Sequence, residues 1–170
     1  DDTGGDLDLH FLHPIATQLA PKDYDGDGEN DGWFMNQWDC FWFTNTQGCS
    51  WDEPGESDDD PSLDRDDKDG LGPENLNLKA PTSGNVYRVG VHHWVTPDVD
   101  FGPSDATIAI YLDGNPVYQA TLEGLLPGQL WDVCTISWDG ETGVVAPVVD
   151  AEGAPKVFPS YPIPPAIPVD

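Results

Sequence analysis

The chain is predicted to be all-β: two antiparallel sheets packed as a sandwich of immunoglobulin-like or jelly-roll type, with long acidic loops and an extended proline-rich arm at its C-terminal end. Three observations point there. Short runs alternate between apolar and polar residues, no window holds a 3.6-residue apolar period, and 17 Pro with 18 Gly punctuate the 170 residues at turn-like intervals. Eight or nine short strands in one unit need two packed sheets to bury one face each, and helix is not expected.

The first strand is read at Asp6 to His13, where Leu7, Leu9 and Phe11 share one face and Asp6, Asp8 and His10 the other. Val86 to Val95 repeats the pattern, with Tyr87, Val89 and Val91 inward and Arg88 and His92 outward. Ala106 to Leu112 and Pro116 to Leu122 flank Asp113-Gly114-Asn115, a hairpin signal because Asp-Gly accepts the positive φ of a tight turn. Gln129 to Trp138 alternates Trp131, Val133, Thr135 and Ser137 against Leu130, Asp132, Cys134, Ile136 and Trp138. Shorter candidates are Trp33 to Met35, Cys40 to Thr44, Asn75 to Leu78 and Val144 to Val149. The sandwich domain is expected to cover residues 1–153. Residues 154–170 contain six prolines among apolar residues, the composition of an extended arm held by its own domain or by a neighbouring copy.

Acidic residues number 32 against 6 basic ones, a formal net charge of -26. Such a surface repels phosphate backbones and anionic headgroups, so neither nucleic acid nor a membrane surface is an expected partner. No apolar run approaches the roughly 18 residues that cross a bilayer, and a soluble chain with any export signal removed is expected. Sixteen of the acids lie between Asp23 and Asp69, where only Arg65 and Lys68 answer them. Carboxylates so crowded repel one another unless bound cations neutralise them, and divalent cations are the natural agents.

The sharpest motif is Asp23-Tyr24-Asp25-Gly26-Asp27-Gly28-Glu29-Asn30-Asp31, with acids at positions one, three, five and nine. Calcium takes six to eight oxygens, and this spacing offers Asp23, Asp25, Asp27 and Asp31 with the Glu29 carbonyl at position seven. Position twelve is Phe34, so the loop lacks the bidentate Glu of a complete EF-hand. A second cluster supplies Asp64, Asp66, Asp67 and Asp69, with Glu74 as a further candidate. A third site would use Asp6 and Asp8 together with a loop carboxylate. Two or more Ca²⁺ ions are therefore expected.

Cys40, Cys49 and Cys134 allow three single disulfides. The local pair Cys40 to Cys49 is preferred because it ties down a stretch of little regular pattern, with Cys40 to Cys134 as the alternative. A disulfide and weak calcium sites together point outside the cytoplasm. Four tryptophans, Trp33, Trp38, Trp42 and Trp51, fall within 19 residues and offer either a sugar-stacking platform or the apolar plug beneath a long loop. No zinc spacing, nucleophile elbow or phosphate loop is present, and catalysis is not expected; His10 and His92 are read as hydrogen-bonded sandwich residues.

Asp6-Leu7-Asp8-Leu9-His10, Gly32-Trp33-Phe34, Trp38-Asp39-Cys40-Phe41-Trp42, Leu63-Asp64-Arg65-Asp66-Asp67, Gly72-Pro73-Glu74-Asn75 and Tyr87-Arg88-Val89-Gly90-Val91-His92 occur in an order that resembles the D-L-D-L-H to G-P-E-N domains of exported bacterial proteins, frequent in myxobacteria and similar to the YfaP-like β-sandwich family. The likeness runs from about Asp6 to Trp138. It implies an extracellular or periplasmic β-sandwich and little about activity. The Asp23 to Asp31 loop looks inserted relative to that pattern, and the arm after Ala154 lies outside it.

The function expected from these readings is a non-enzymatic, calcium-binding module with a structural or adhesive role on a cell surface or in a secreted assembly. Its partners would be other copies of itself, through the C-terminal arm, or a surface protein. The alternative is a carbohydrate-binding module that uses the loop tryptophans to hold a glycan.

Overall fold

Alternation along the first strand, β1 (Leu7–Leu12), sets up a sheet with two different faces. β1 pairs antiparallel with β5 (Val86–His93), Leu9 opposite Val91 and Phe11 opposite Val89, and on its other side with the two-residue β2 (Asp39–Cys40). β5 pairs with β8 (Leu130–Asp139), whose far edge carries β9 (Thr142–Pro147) along one half and β10 (Lys156–Phe158) along the other. Two smaller antiparallel pairs complete the strands: β3 (Ser62–Arg65) with β4 (Asn75–Asn77), and the long hairpin β6 (Ser104–Leu112) with β7 (Asn115–Leu125). The computed structural model describes residues 5–45, 49–66, 73–95, 101–165 and 167. The fold is all-β and antiparallel, as expected, and no helix among the described residues is long and apolar enough to cross a membrane.

On one face of the main sheet, Phe11, Tyr87, Val89, Val91, Trp131, Cys134 and Ile136 form a core. Ala106, Ile108 and Leu125 from the β6–β7 hairpin close over it, so burial rather than edge pairing joins the hairpin to the sheet. The hairpin turn is as read: Asp113 and Gly114 have φ of 50° and 74°, which only Gly and a few short polar residues adopt readily. β8 departs from simple alternation. Its pairing to β5 slips between Val89 and Gly90, whose partners are Cys134 and Asp132, leaving Val133 as the extra residue of a bulge. The bulge changes the phase, so Trp131 and Val133 share a core with Cys134 and Ile136 instead of facing away from them.

The other face corrects a larger expectation. Asp8, His10 and His92, placed on a solvent face by alternation, are 1%, 0% and 0% exposed. A second core covers them: Leu12 and Leu130 from the sheet, Ala16, Trp33, Phe34, Phe41 and Trp94, and the C-terminal Phe158, Tyr161 and Ile167. Two short helices belong to this layer. In α1 (Pro14–Leu19), Pro14 takes the first turn without loss because its missing N–H would have no partner there, and His13 Nδ1 accepts the Ile15 N–H at 3.2 Å. In α2 (Trp42–Asn45), Thr44 Oγ1 accepts from Phe41 N at 3.0 Å and donates to Asp39 O at 2.7 Å, which curls the chain after β2. The strand expected at Cys40 to Thr44 therefore stops at Cys40, and Trp33 to Met35 is a turn with Phe34 at φ 60°. Helices of six and four residues are too short to leave a period in the sequence.

The proline-rich segment is seated on its own chain. β10 adds to β8 at Val157 opposite Trp131, Tyr161 N donates to Gly128 O at 2.9 Å, and Phe158, Tyr161 and Ile167 are core residues. Phe158 and Tyr161 thus fill this domain, with Val157 and Ile163 packed beside them, so the arm is held by its own chain. Cys40 and Cys49 are disulfide-bonded, with Cα atoms 5.9 Å apart, and Cys134 is a buried free thiol.

Candidate metal sites

Asp23 organises the first acidic loop through its own backbone. Its Oδ1 accepts Gly26 N at 2.6 Å and its Oδ2 accepts Gly28 N at 2.9 Å, while Asp25 Oδ1 accepts Asp27 N and Asp27 Oδ1 accepts Glu29 N. Gly26 and Gly28, at φ 78° and 96°, supply the left-handed turns that let the chain double back. Oxygens of Asp23, Asp25 and Asp27 come within 4.8 Å of one another, as the spacing predicts. The two Gly amides, Gly28 first, hold the Asp23 carboxyl below its usual range.

Asp31 does not join them. It is 4% exposed and its Oδ2 accepts Tyr24 N at 2.8 Å, so it closes the base of the loop; burial pushes its carboxyl up. Glu29 is exposed and contributes to the turn through its amide. No local pattern marks the cation that meets this loop. Lys156 Nζ, from β10, lies 2.6 Å from Asp25 Oδ2 and 2.7 Å from Asp27 Oδ2, and its hydrogen bond is the main reason Asp27 sits below its usual range.

The second and third clusters are divided and recombined. Asp8 on β1, Asp66 just after β3 and Glu74 just before β4 bring carboxylate oxygens within 4.8 Å of one another. Glu74 Oε2 also accepts Leu9 N at 2.5 Å, which fixes the β3–β4 pair against β1. Asp64 faces its own ribbon, accepting from Asn77 Nδ2 at 2.5 Å, Asn75 Nδ2 at 3.3 Å and Ser62 Oγ at 3.2 Å. The β-bulge between Leu63 and Arg65 falls at this point, where register and side-chain direction change. Asp6 stands outside the group, and Asp67 and Asp69 lie outside the described residues. Three carboxylates facing one another at this range repel, and a hard divalent cation is the ligand that such an oxygen set suits.

The four tryptophans divide between the cores. Trp33 and Trp51 are 4% and 1% exposed, so neither presents a ring face to solvent. Trp51 Nε1 donates to Gln37 O at 2.7 Å, and its ring stacks on Tyr87 with centroids 5.9 Å apart. Trp38 and Trp42 are half-buried, and Trp42 meets Trp94 edge to face at 5.5 Å. All four thus pack into the cores, as the plug reading has it, and any sugar-stacking surface falls to the partly exposed Trp38 and Trp42.

Comparison of the chain with protein-family models, with curated proteins and with solved structures finds no match in any of the three.

Proposed function

We propose that this chain is a non-enzymatic, exported β-sandwich module whose rigidity outside the cell depends on bound calcium, serving a structural or adhesive role. The observation that carries the reading is the meeting of Asp8, Asp66 and Glu74 from three separate elements. An ion held there would tie the β3–β4 ribbon to β1, and one at Asp23, Asp25 and Asp27 would offset charge in the other loop. Binding to the native state alone stabilises it, by about 2.7 kcal/mol per ion at a hundred times Kd. The Cys40–Cys49 disulfide accords with an oxidising compartment.

Thermal unfolding in millimolar calcium and in excess chelator, with a metal count by native mass spectrometry, tests this. A rise in midpoint of several degrees with two bound ions supports it. No shift and no bound metal would overturn it.

A further inference from the structure

Beneath Phe34 and Phe41 the fold buries polar atoms that no group among the described residues satisfies. His10 and His92 are both 0% exposed. His10 Nδ1 lies 2.8 Å from Asp39 Oδ2, an oxygen that also accepts Phe34 N at 2.6 Å. Among the described residues, His10 Nε2 and both ring nitrogens of His92 have no hydrogen-bond partner. Nδ1 of His10 donates to the Asp39 carboxylate, and Nε2 is the nitrogen left without a partner. Burial, with His10 and His93 nearby, holds His92 well below the usual histidine range. Nitrogens of both rings are thus buried without a partner among the described residues, a costly arrangement in an apolar setting.

The surroundings narrow what could meet them. Phe34 lies edge-on to His10 at 4.7 Å and to His92 at 5.1 Å, Phe41 stacks on His10 at 4.7 Å, and Trp94 lies edge-on to His92 at 5.7 Å. The two imidazole centroids are 6.2 Å apart. A direct N–H···N bond would bring them to about 5.3 Å. Two rings joined through one metal ion, with metal–nitrogen distances near 2.0 Å, would stand about 6.3 Å apart.

We propose that His10 and His92 together bind one monovalent copper ion as a two-coordinate pair, with Asp39 behind His10 balancing its charge. Imidazole suits copper, and Cu(I), a filled-shell ion, is content with two nitrogens. Zinc wants four ligands, and neither histidine belongs to a group of three or more ligating side chains among the described residues. A monovalent cation would be balanced by the Asp39 carboxylate that lies behind His10. The Asp39 to His10 bond orients the ring and makes Nε2 more basic, the usual service of a carboxylate behind a metal-binding histidine. This site uses nitrogen donors on the opposite face of the sheet from Cys134.

The test is anaerobic titration of the folded, disulfide-bonded full chain with Cu(I) held by bicinchoninate, a few degrees below the unfolding midpoint so that the enclosure can open. One equivalent of copper should pass to the protein, and X-ray absorption should show two nitrogen ligands and no sulfur. Binding should persist in Cys134→Ala, vanish in His92→Phe and weaken by about 10- to 100-fold in Asp39→Asn. His92→Phe suits an aromatic box and is checked for folding by circular dichroism; His10→Phe, which strands Asp39, is secondary. No transfer of copper, equal binding by His92→Phe, loss in Cys134→Ala, or sulfur in the coordination sphere would each overturn the proposal.

Discussion

Lys156 Nζ lies 2.6 Å from Asp25 Oδ2, so a cation from strand β10 meets the Asp23 loop far along the chain from it. Its second bond, to Asp27, makes it a tethered counter-ion for the loop and pins β10 to it. Tyr24 and Tyr161 reinforce the junction, with ring centroids 4.8 Å apart. Lys156→Met should therefore lower stability by about 1 kcal/mol at low ionic strength, and by less in high salt, because the pair is only partly buried. Urea unfolding at two salt concentrations measures both values.

Arg88 and Asp132 form a different kind of ion pair. Arg88 reaches Asp132 through Nη2 and through Nε, the latter at 3.4 Å, and its guanidinium lies over the Trp33 ring at 5.3 Å. Asp132 is 0% exposed and burial pushes its carboxyl up, with Arg88 opposing. Arg88→Met leaves that carboxylate uncompensated and should cost about 3–5 kcal/mol. Adding Asp132→Leu to it should restore much of the loss, and a double-mutant cycle by chemical denaturation reads the difference.

The calcium reading makes a prediction that neighbouring residues in the sequence would not. Asp66→Ala should reduce the calcium-dependent rise in midpoint, whereas Asp64→Ala should leave it unchanged, since Asp64 is engaged by Asn75 and Asn77. Thermal melts of the two variants, with and without calcium, decide it.

Acid should weaken the fold through its buried histidines. The unfolded chain protonates its histidines near pH 6.5, while folded His92, lowered by burial, stays neutral to a lower pH. Between those two values the unfolded state binds more protons, so stability falls as pH drops, by at most about 1.4 kcal/mol per pH unit for each such histidine. His13 and His93, also lowered by burial, act in the same direction. His92→Phe should flatten the slope just below pH 6.5 in metal-free buffer, as seen by denaturant unfolding across that range.

Reducing the disulfide should loosen the segment that covers the second core. Cys40 and Cys49 close a loop with a sequence separation of 9, and Cys49→Ala should cost about 2–3 kcal/mol on the chain-entropy account. The midpoint of the oxidised protein should fall to that of the variant on addition of reductant.

The alternation of Leu7, Leu9 and Phe11, the Asp113-Gly114 turn and the D-x-D-x-D-G spacing each depend on residues within a few positions of one another, and each was legible in the chain. Local order of that kind determined the all-β class, the main strands and the Asp23 to Asp27 group. What the polar face of β1 meets depends on residues far away. Alternation reports that Asp8 and His10 share a side, not that Phe34, Phe41 and a proline-rich tail will cover it. The bulges at Val133 and near Asp64 shift register without any marker in composition, which moved Trp131 beside Ile136 and parted Asp64 from Asp66. Only tertiary structure decided that Asp8, Asp66 and Glu74 converge, that Lys156 answers Asp25, and that His10 and His92 lie buried together. Those contacts are chosen by how separate elements pack, and burial of apolar surface, the force behind that choice, is not directional and leaves no short-range pattern.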